Sequence, residues 1–393
     1  MNKKFQIKTL LLYVFFIFLI IQIASCKKDV PANVVRVTPP PTTTPLPPPP
    51  PPLASCSPLP AVDVNPFPGS VLVTRISEVR YAMGIAHSNN KIFLSGGFNG
   101  CSASKTLSIL DLNTSTISHK QFPLANFYAA MAVADNKIFW AGSFNLSSPS
   151  YIVTDTVDVY DINTDNMSIM KLSTARVIVA AASVGDVVLF AGGYSGTSAS
   201  SRVDIYNTVT KTWSKAELSE ARYHIAAAVV GNKIFFAGGY TRTGASSRID
   251  IYDYSTNTWS INQLPEAGYY TAGVLNNKIY FAGGSSYSSA VHVLDLNSNQ
   301  WSKLSLSENK HNIQIGISNN KIAFIGGYLD YFTCSSKIEI YNPSNNTWTY
   351  SSMTNDISNE AIISIGNNIY SAGGIIDNDH GDKMIPGIFK ITL

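Results

Sequence analysis

The sequence is poor in charge. Only 13% of its 393 residues are Asp, Glu, Lys or Arg, about half the share in an average soluble protein. The formal net charge is +3, but residues 1–60 hold six of the bases and one of the acids, which leaves 22 bases and 24 acids in the rest. That body has no clustered basic footprint, which argues against nucleic acid as a partner. Long apolar runs are missing as well. The run Leu10–Ile21 has twelve residues and would span ~18 Å as a helix, short of a ~30 Å hydrocarbon core. Cysteine occurs four times, at 26, 56, 101 and 334, and its pairing is unreadable from sequence. There is no G-x-S-x-G, H-E-x-x-H, P-loop or dinucleotide fingerprint. No enzymatic motif is therefore ready-made, and the sequence calls for no cofactor.

What is present begins with an address. Met1–Lys8 carries three lysines, the apolar run follows, and Ile23-Ala24-Ser25-Cys26 comes next. That order is a signal peptide's. The four residues resemble the lipobox of bacterial lipoproteins. The resemblance implies a signal peptide over 1–25, lipidation of Cys26 and a membrane partner reached through that lipid. Lys27-Lys28-Asp29 is similar to the charged tags of surface-exported lipoproteins. The expected location is the bacterial cell envelope, at the outer membrane or cell surface. Between residues 39 and 60, twelve of 22 residues are proline. Proline fixes φ and has no N–H, so this segment reads as polyproline II, about 65–70 Å long at ~3.1 Å per residue. Residues 26–60 are then a stalk, and 61–393 a monomeric head.

The head repeats itself. KIFFAGGY at 233–240 returns as KIFLSGGF at 91, KIFWAGSF at 137, VVLFAGGY at 187, KIYFAGGS at 278, KIAFIGGY at 321 and NIYSAGGI at 368. The first glycines fall at 96, 142, 192, 238, 283, 326 and 373, a period in the forties that points to a propeller or repeat array. One unit reads as four antiparallel strands. The slot between its first two strands holds pairs such as Asn89-Asn90, Gly231-Asn232 and Asn276-Asn277, which tolerate the positive φ of a type I′ turn. First strands are rich in alanine, as at Ala180–Ala182 and Ala226–Ala228, which suits crowding around an axis. Tyr206, Tyr252 and Tyr341 each precede a tryptophan by seven residues.

These residues resemble the kelch repeat: a double glycine, then Tyr-Asp, then Trp. Ser143, Leu110, Leu294, Ile117 and Met167 depart from it, chiefly in the first two units. The resemblance implies an all-β, seven-bladed β-propeller. Seven first-and-second-strand pairs face only six complete third-and-fourth pairs. The segment at about 70–79 should therefore complete the carboxy-terminal blade beside Lys390 and remove the open edge.

In a kelch propeller, loops before the first strand and after the second share one face. Sixteen residues before each first glycine stand Arg80, Asn126, Arg176, Arg222, Ala267, Lys310 and Ile357. Beside them are Tyr81, Tyr128, Tyr223, His224, Tyr269 and His311. The expectation is a basic, tyrosine-rich mouth that binds an acidic glycan or a protein loop, since Arg forks fit carboxylates and Tyr offers a flat face with a polar tip. The alternative for these cations is bracing between blades. Two enzymatic alternatives rest on resemblance. One is a galactose-oxidase-like copper oxidase using Cys101, Tyr128, Tyr223, His224 and His380. The other is a sialic-acid-mutarotase-like enzyme, whose relatives resemble six-bladed rings. A binding module is the favoured reading over an enzyme. Asp377–Asp382 looks calcium-like, but its glycine is one place early and Ile388 stands where an EF-hand needs Glu, so it reads as a solvated loop. A Cys56–Cys101 bridge is conceivable in an oxidising compartment.

Overall fold

A computed structural model describes residues 58–126, 129–147, 150–284, 288–330, 333–376 and 383–393. Cys26, Cys56, Tyr128, His380 and the 377–382 loop lie outside them. The described head falls within one compact unit, Leu59–Leu393. It is all-β and holds seven four-stranded antiparallel sheets, numbered here as blades one to seven in chain order. Blades one and two, which depart most from the repeat pattern, form the same sheet as the others. Each blade's first strand contacts the first strands before and after it, and Ala361–Ile365 of blade seven contacts Gly84–Ser88 of blade one, so the series is a closed ring.

The turn chemistry acts as its residue types require. Asn89 and Asn90 have φ of 49° and 57°, and Asn276 and Asn277 have 52° and 57°, the left-handed pair that a I′ hairpin needs. The seven-residue Tyr-to-Trp spacing has a cross-strand cause. Tyr206 pairs with Trp213, Tyr252 with Trp259 and Tyr341 with Trp348, with ring centroids 5.0–5.2 Å apart. The Tyr252 and Tyr341 hydroxyls also donate to Asn257 and Asn346 in the turn, each at 3.0 Å. The core lies between blades. Leu189 and Ala191 of blade three pack with Ile234 and Phe236 of blade four. Small first-strand residues answer crowding: a Cβ on Gly273 would lie 2.6 Å from Ile315, and one on Gly316 would lie 2.6 Å from Ile369.

Blade seven is completed by the amino-terminal strand Val71–Arg75, which pairs with Gly387–Ile391 in the register Val71↔Lys390 and Leu72↔Phe389. Phe67, 1% exposed, packs beside Phe389 in the same core. Two elements go beyond the repeat. Blade two carries an extra hairpin, Phe144–Ser147 with Ser150–Val153. Blade seven carries Ile357–Ser358, Ile375–Ile376 and Lys383–Met384 as a small three-stranded sheet. Residues 59–62 form a strap over it: Leu59 N donates to Asn99 O at 3.0 Å, Met384 N to Pro60 O at 3.0 Å and Val62 N to Met384 O at 2.9 Å.

If the closure bears on global stability, Phe389→Ala should cost roughly 3–5 kcal/mol in urea unfolding. Val71→Ala, on the same strand pair but largely exposed, should change it by no more than about 0.5 kcal/mol.

Candidate ligand mouth and the clamps beneath it

The loops before first strands and after second strands do meet on one face. Tyr81 bridges Phe98, Val177 bridges Tyr194, Tyr223 bridges Tyr240 and His311 bridges Tyr328. Between bridge and first strand the chain kinks through a left-handed residue: Ala82, Ile178, His224, Asn312 and Asn359 have φ of 51–56°. Blade five omits the kink, and its strand begins at Tyr269.

The four expected mouth cations are not at the mouth. Arg80, Arg176, Arg222 and Lys310 are 0–1% exposed, each leading into a blade with its head group buried in that following blade. The three arginines bond alike. Nη1 of Arg80 donates to Gly96 O and Thr106 O, both at 2.7 Å. Nη1 of Arg176 donates to Gly192 O at 2.8 Å and Arg202 O at 2.5 Å. Nη1 of Arg222 donates to Gly238 O at 2.6 Å and Arg248 O at 2.8 Å. Nη2 then reaches Ser108, Asp204 or Asp250 on the third strand. Lys310 sits 3.1 Å from Glu339, both 0% exposed. The second carboxylate oxygen, or the same acid's other face, takes a backbone N–H: Ser173 donates to Asp204, Ser219 to Asp250 and Ser307 to Glu339. These guanidiniums are buried and turned inward onto carbonyls and third-strand side chains, so they present no donor at the surface to an acidic ligand. The basic mouth is corrected to a set of internal clamps, the bracing alternative.

The clamp varies around the ring: blade one keeps Arg80 but has Ser108 in place of the acid. Blade seven has Ile357 and Phe389 at the two positions, and blade five has Gly268 and His292. Gly268, not Ala267, is the counterpart of Arg222, because Gly239 N donates to Gly268 O as Gly193 N does to Arg222 O, both at 2.8 Å. Blade two is the reverse of blade one. It keeps the acid, Asp158, 5% exposed, but puts Asn126 in place of the cation and Pro123, which has no N–H, in place of the serine. Burial pushes the Asp158 carboxyl up to about 6.

The aromatic part of the expected mouth does assemble. Ring centroids run Tyr194–Tyr223 at 5.4 Å, Tyr223–Tyr240 at 6.0 Å and Tyr240–Tyr269 at 6.4 Å, with His224 edge-on to Tyr269 at 5.1 Å. The Tyr269 hydroxyl donates to Asn312 at 3.0 Å. His311 stacks on Tyr328 at 5.5 Å, and Asn359 Nδ2 donates to the Tyr328 hydroxyl at 2.9 Å. This arc crosses blades three to seven. Burial lowers His224 to about 4, which leaves it neutral at pH 7, and depresses His311. Tyr81 stands apart: it is 3% exposed and packs with Phe98, Met384 and the strap's Leu59. Tyr194, Tyr240, Tyr328 and Asn359 were not among the expected site residues. The signal for the three tyrosines was the aromatic after the double glycine in blades three, four and six. Glu360 was also missed. It is a 5% exposed acid raised to about 7 by burial, at the position where Met83, Val179, Ile225 and Ile313 are apolar.

The copper reading does not fit these residues, because Cys101 is held in a disulfide and cannot form a thioether to tyrosine. The proposed partner, Cys56, lies outside the described residues.

Two measurements check the clamps. Arg222→Ala would strand Asp250 and should cost roughly 3–5 kcal/mol in urea unfolding. Asp158 is the reverse case. Its folded-state pKa lies above the ordinary 3.8, so the folded chain holds the proton more tightly than the unfolded one. Its contribution to stability should rise as pH falls from about 6 towards 4, by up to roughly 3 kcal/mol. Asp158→Asn should remove that slope from the difference between the two pH-stability curves.

With fold and mouth in place, comparison with known proteins is informative. No curated protein matches the sequence. A solved structure described as "Structure of YjhT", a kelch-type propeller, superposes with a TM-score of 0.54 at 15% identity, covering 71% of this chain and 99% of that one. At that identity the likeness concerns the fold alone. The model of the KLHDC2/KLHL20/DRC7 Kelch-repeats domain matches residues 127–312 and 179–374. The two matches together span more than half of the chain, and the protein belongs to the kelch-repeat family.

Proposed function

We propose that the protein is a binding module that takes an uncharged, flat-faced ligand, a sugar ring or an extended peptide, on the aromatic arc over blades three to six. The observation that carries this reading is the unbroken contact Tyr194–Tyr223–Tyr240–Tyr269. Aromatic faces take apolar sugar or peptide surface, and the phenol tips and Asn312 supply hydrogen bonds. The acidic ligand first expected loses its support because its four cations serve the blades. The same finding removes the support for a mutarotase-like enzyme. The ligand-binding part of the reading is tested by a glycan array and a pull-down with the purified protein. Tyr240→Ala with Tyr269→Ala should weaken capture by about tenfold or more, as loss of a central aromatic anchor does, while far-UV circular dichroism stays unchanged. Capture that survives the double variant would refute the arc as the site.

The anchoring part of the proposal rests on the lipobox-like Ile23-Ala24-Ser25-Cys26. The head is held on the bacterial envelope through a lipid on Cys26 and the proline-rich segment. Metabolic palmitate labelling should mark the wild-type chain and not Cys26→Ser.

A further inference from the structure

Blade two holds an acid without the partners that the same acid has elsewhere in the ring. In blades three, four and six it takes a buried cation and a backbone N–H. In blades one, five and seven the acid itself is gone: Ser108, His292 and Phe389 stand there. Among the described residues, only blade two retains the carboxylate while losing both partners. The Asn126 amide turns away, its Oδ1 accepting from Ser95 of blade one at 3.3 Å, while its Nδ2 is buried without a partner.

The surroundings of Asp158 have changed with it. Its neighbour across the ladder is Trp140, where blades three to six have Phe190, Phe236, Phe281 and Phe324. Phe122 replaces the leucine of blades three to six, and its ring meets Trp140 edge-on at 4.9 Å. Trp140 is 1% exposed and its Nε1 has no hydrogen-bond partner. An unpaired carboxylate beside two aromatic rings is a pattern that suits a cation: it gains an ion pair, charge-assisted hydrogen bonds and the ring faces. The neighbouring blades show which cation. Thr156 stands two residues before Asp158 as Arg202 does before Asp204, which places one accepting carbonyl beside the acid, whereas Gly142 O already accepts from Ile178 N at 2.8 Å.

We propose that blade two contains a seat for an N–H-bearing cation, a guanidinium or primary ammonium group, held at Asp158 in the place that Arg176 and Arg222 fill from within their own blades. The cation comes either as a free small ion or as the arginine or lysine of a polypeptide. The seat is separate from the aromatic arc and does not depend on it.

The test is ligand-dependent thermal stability of the full chain at pH 8, where Asp158 is ionised. Guanidinium chloride and methylammonium chloride are titrated in the millimolar range against sodium chloride at equal ionic strength, and the tripeptide Gly-Arg-Gly is titrated beside them. Wild type should show a saturable rise in Tm of a few degrees with the N–H cations and none with sodium, as expected for a ligand that binds only the folded state. Asp158→Asn should abolish the rise. Asn126→Arg should raise Tm without ligand and then respond no further. Tighter half-saturation by the tripeptide assigns the seat to a polypeptide side chain, and equal or tighter binding of the simple ions assigns it to a free cation. No saturable rise in wild type, or the same rise in Asp158→Asn, overturns the proposal. If Asn126→Arg fails to fold, the comparison of wild type with Asp158→Asn decides alone.

Discussion

The ring depends on a carbonyl that sits where a side chain would be. A Cβ on Gly192 would lie 2.4 Å from Arg222 O, one on Gly238 would lie 2.4 Å from Gly268 O, and one on Gly373 would lie 2.3 Å from Arg80 O. Each of these glycines ends a second strand, and each carbonyl belongs to the linker into the next blade. Any side chain there would push the blades apart. The following glycine then donates its N–H to the same carbonyl, as Gly193 does to Arg222. Arg222 thus faces two ways, its backbone taking a bond from blade three and its guanidinium tying blade four. The double glycine is a fastening between blades as much as a turn. The Gly373–Arg80 contact repeats it between blades seven and one.

This explains what could be read in advance. The repeat period, the I′ turns and the Tyr–Trp spacing depend on short-range demands, which leave residue types at fixed offsets, and the strand that completes blade seven follows from counting strands against the ring. Whether an arginine points into its blade or into solvent leaves no such trace by itself. The trace lay elsewhere, in the acid 28 residues on at Asp204 and Asp250 and in the serine three residues back, and only pairing the positions reveals it. Blade five defeated simple counting because it lacks the left-handed residue, which moved the equivalent position from Ala267 to Gly268. Glu360 was illegible for a different reason: an acid among serines and asparagines reads as surface until its burial is known.

The clamps and the arc divide the labour of one face. Arginines inside blades three and four hold the glycine carbonyls and third strands in place, Lys310 pairs with Glu339 in blade six, and the rings of Tyr194, Tyr223, Tyr240 and Tyr269 rest on the loops so fixed. A rigid platform loses little entropy when it takes a ligand. Blade two keeps the outline of that design with its central charge unanswered, and so differs from its neighbours in chemistry although its sheet is the same.

The strap and the closing strand also set how the head would bear load. A pull on the chain ahead of Leu59 meets first the bonds to Asn99 and Met384, and Ala61 lies parallel to Met384. Next in line is Phe67, wedged into the core, and only then the ladder of Val71–Arg75. Tension is therefore taken up in two successive stages before it can reach the joint of the ring, as in a rope made fast around two cleats ahead of its knot.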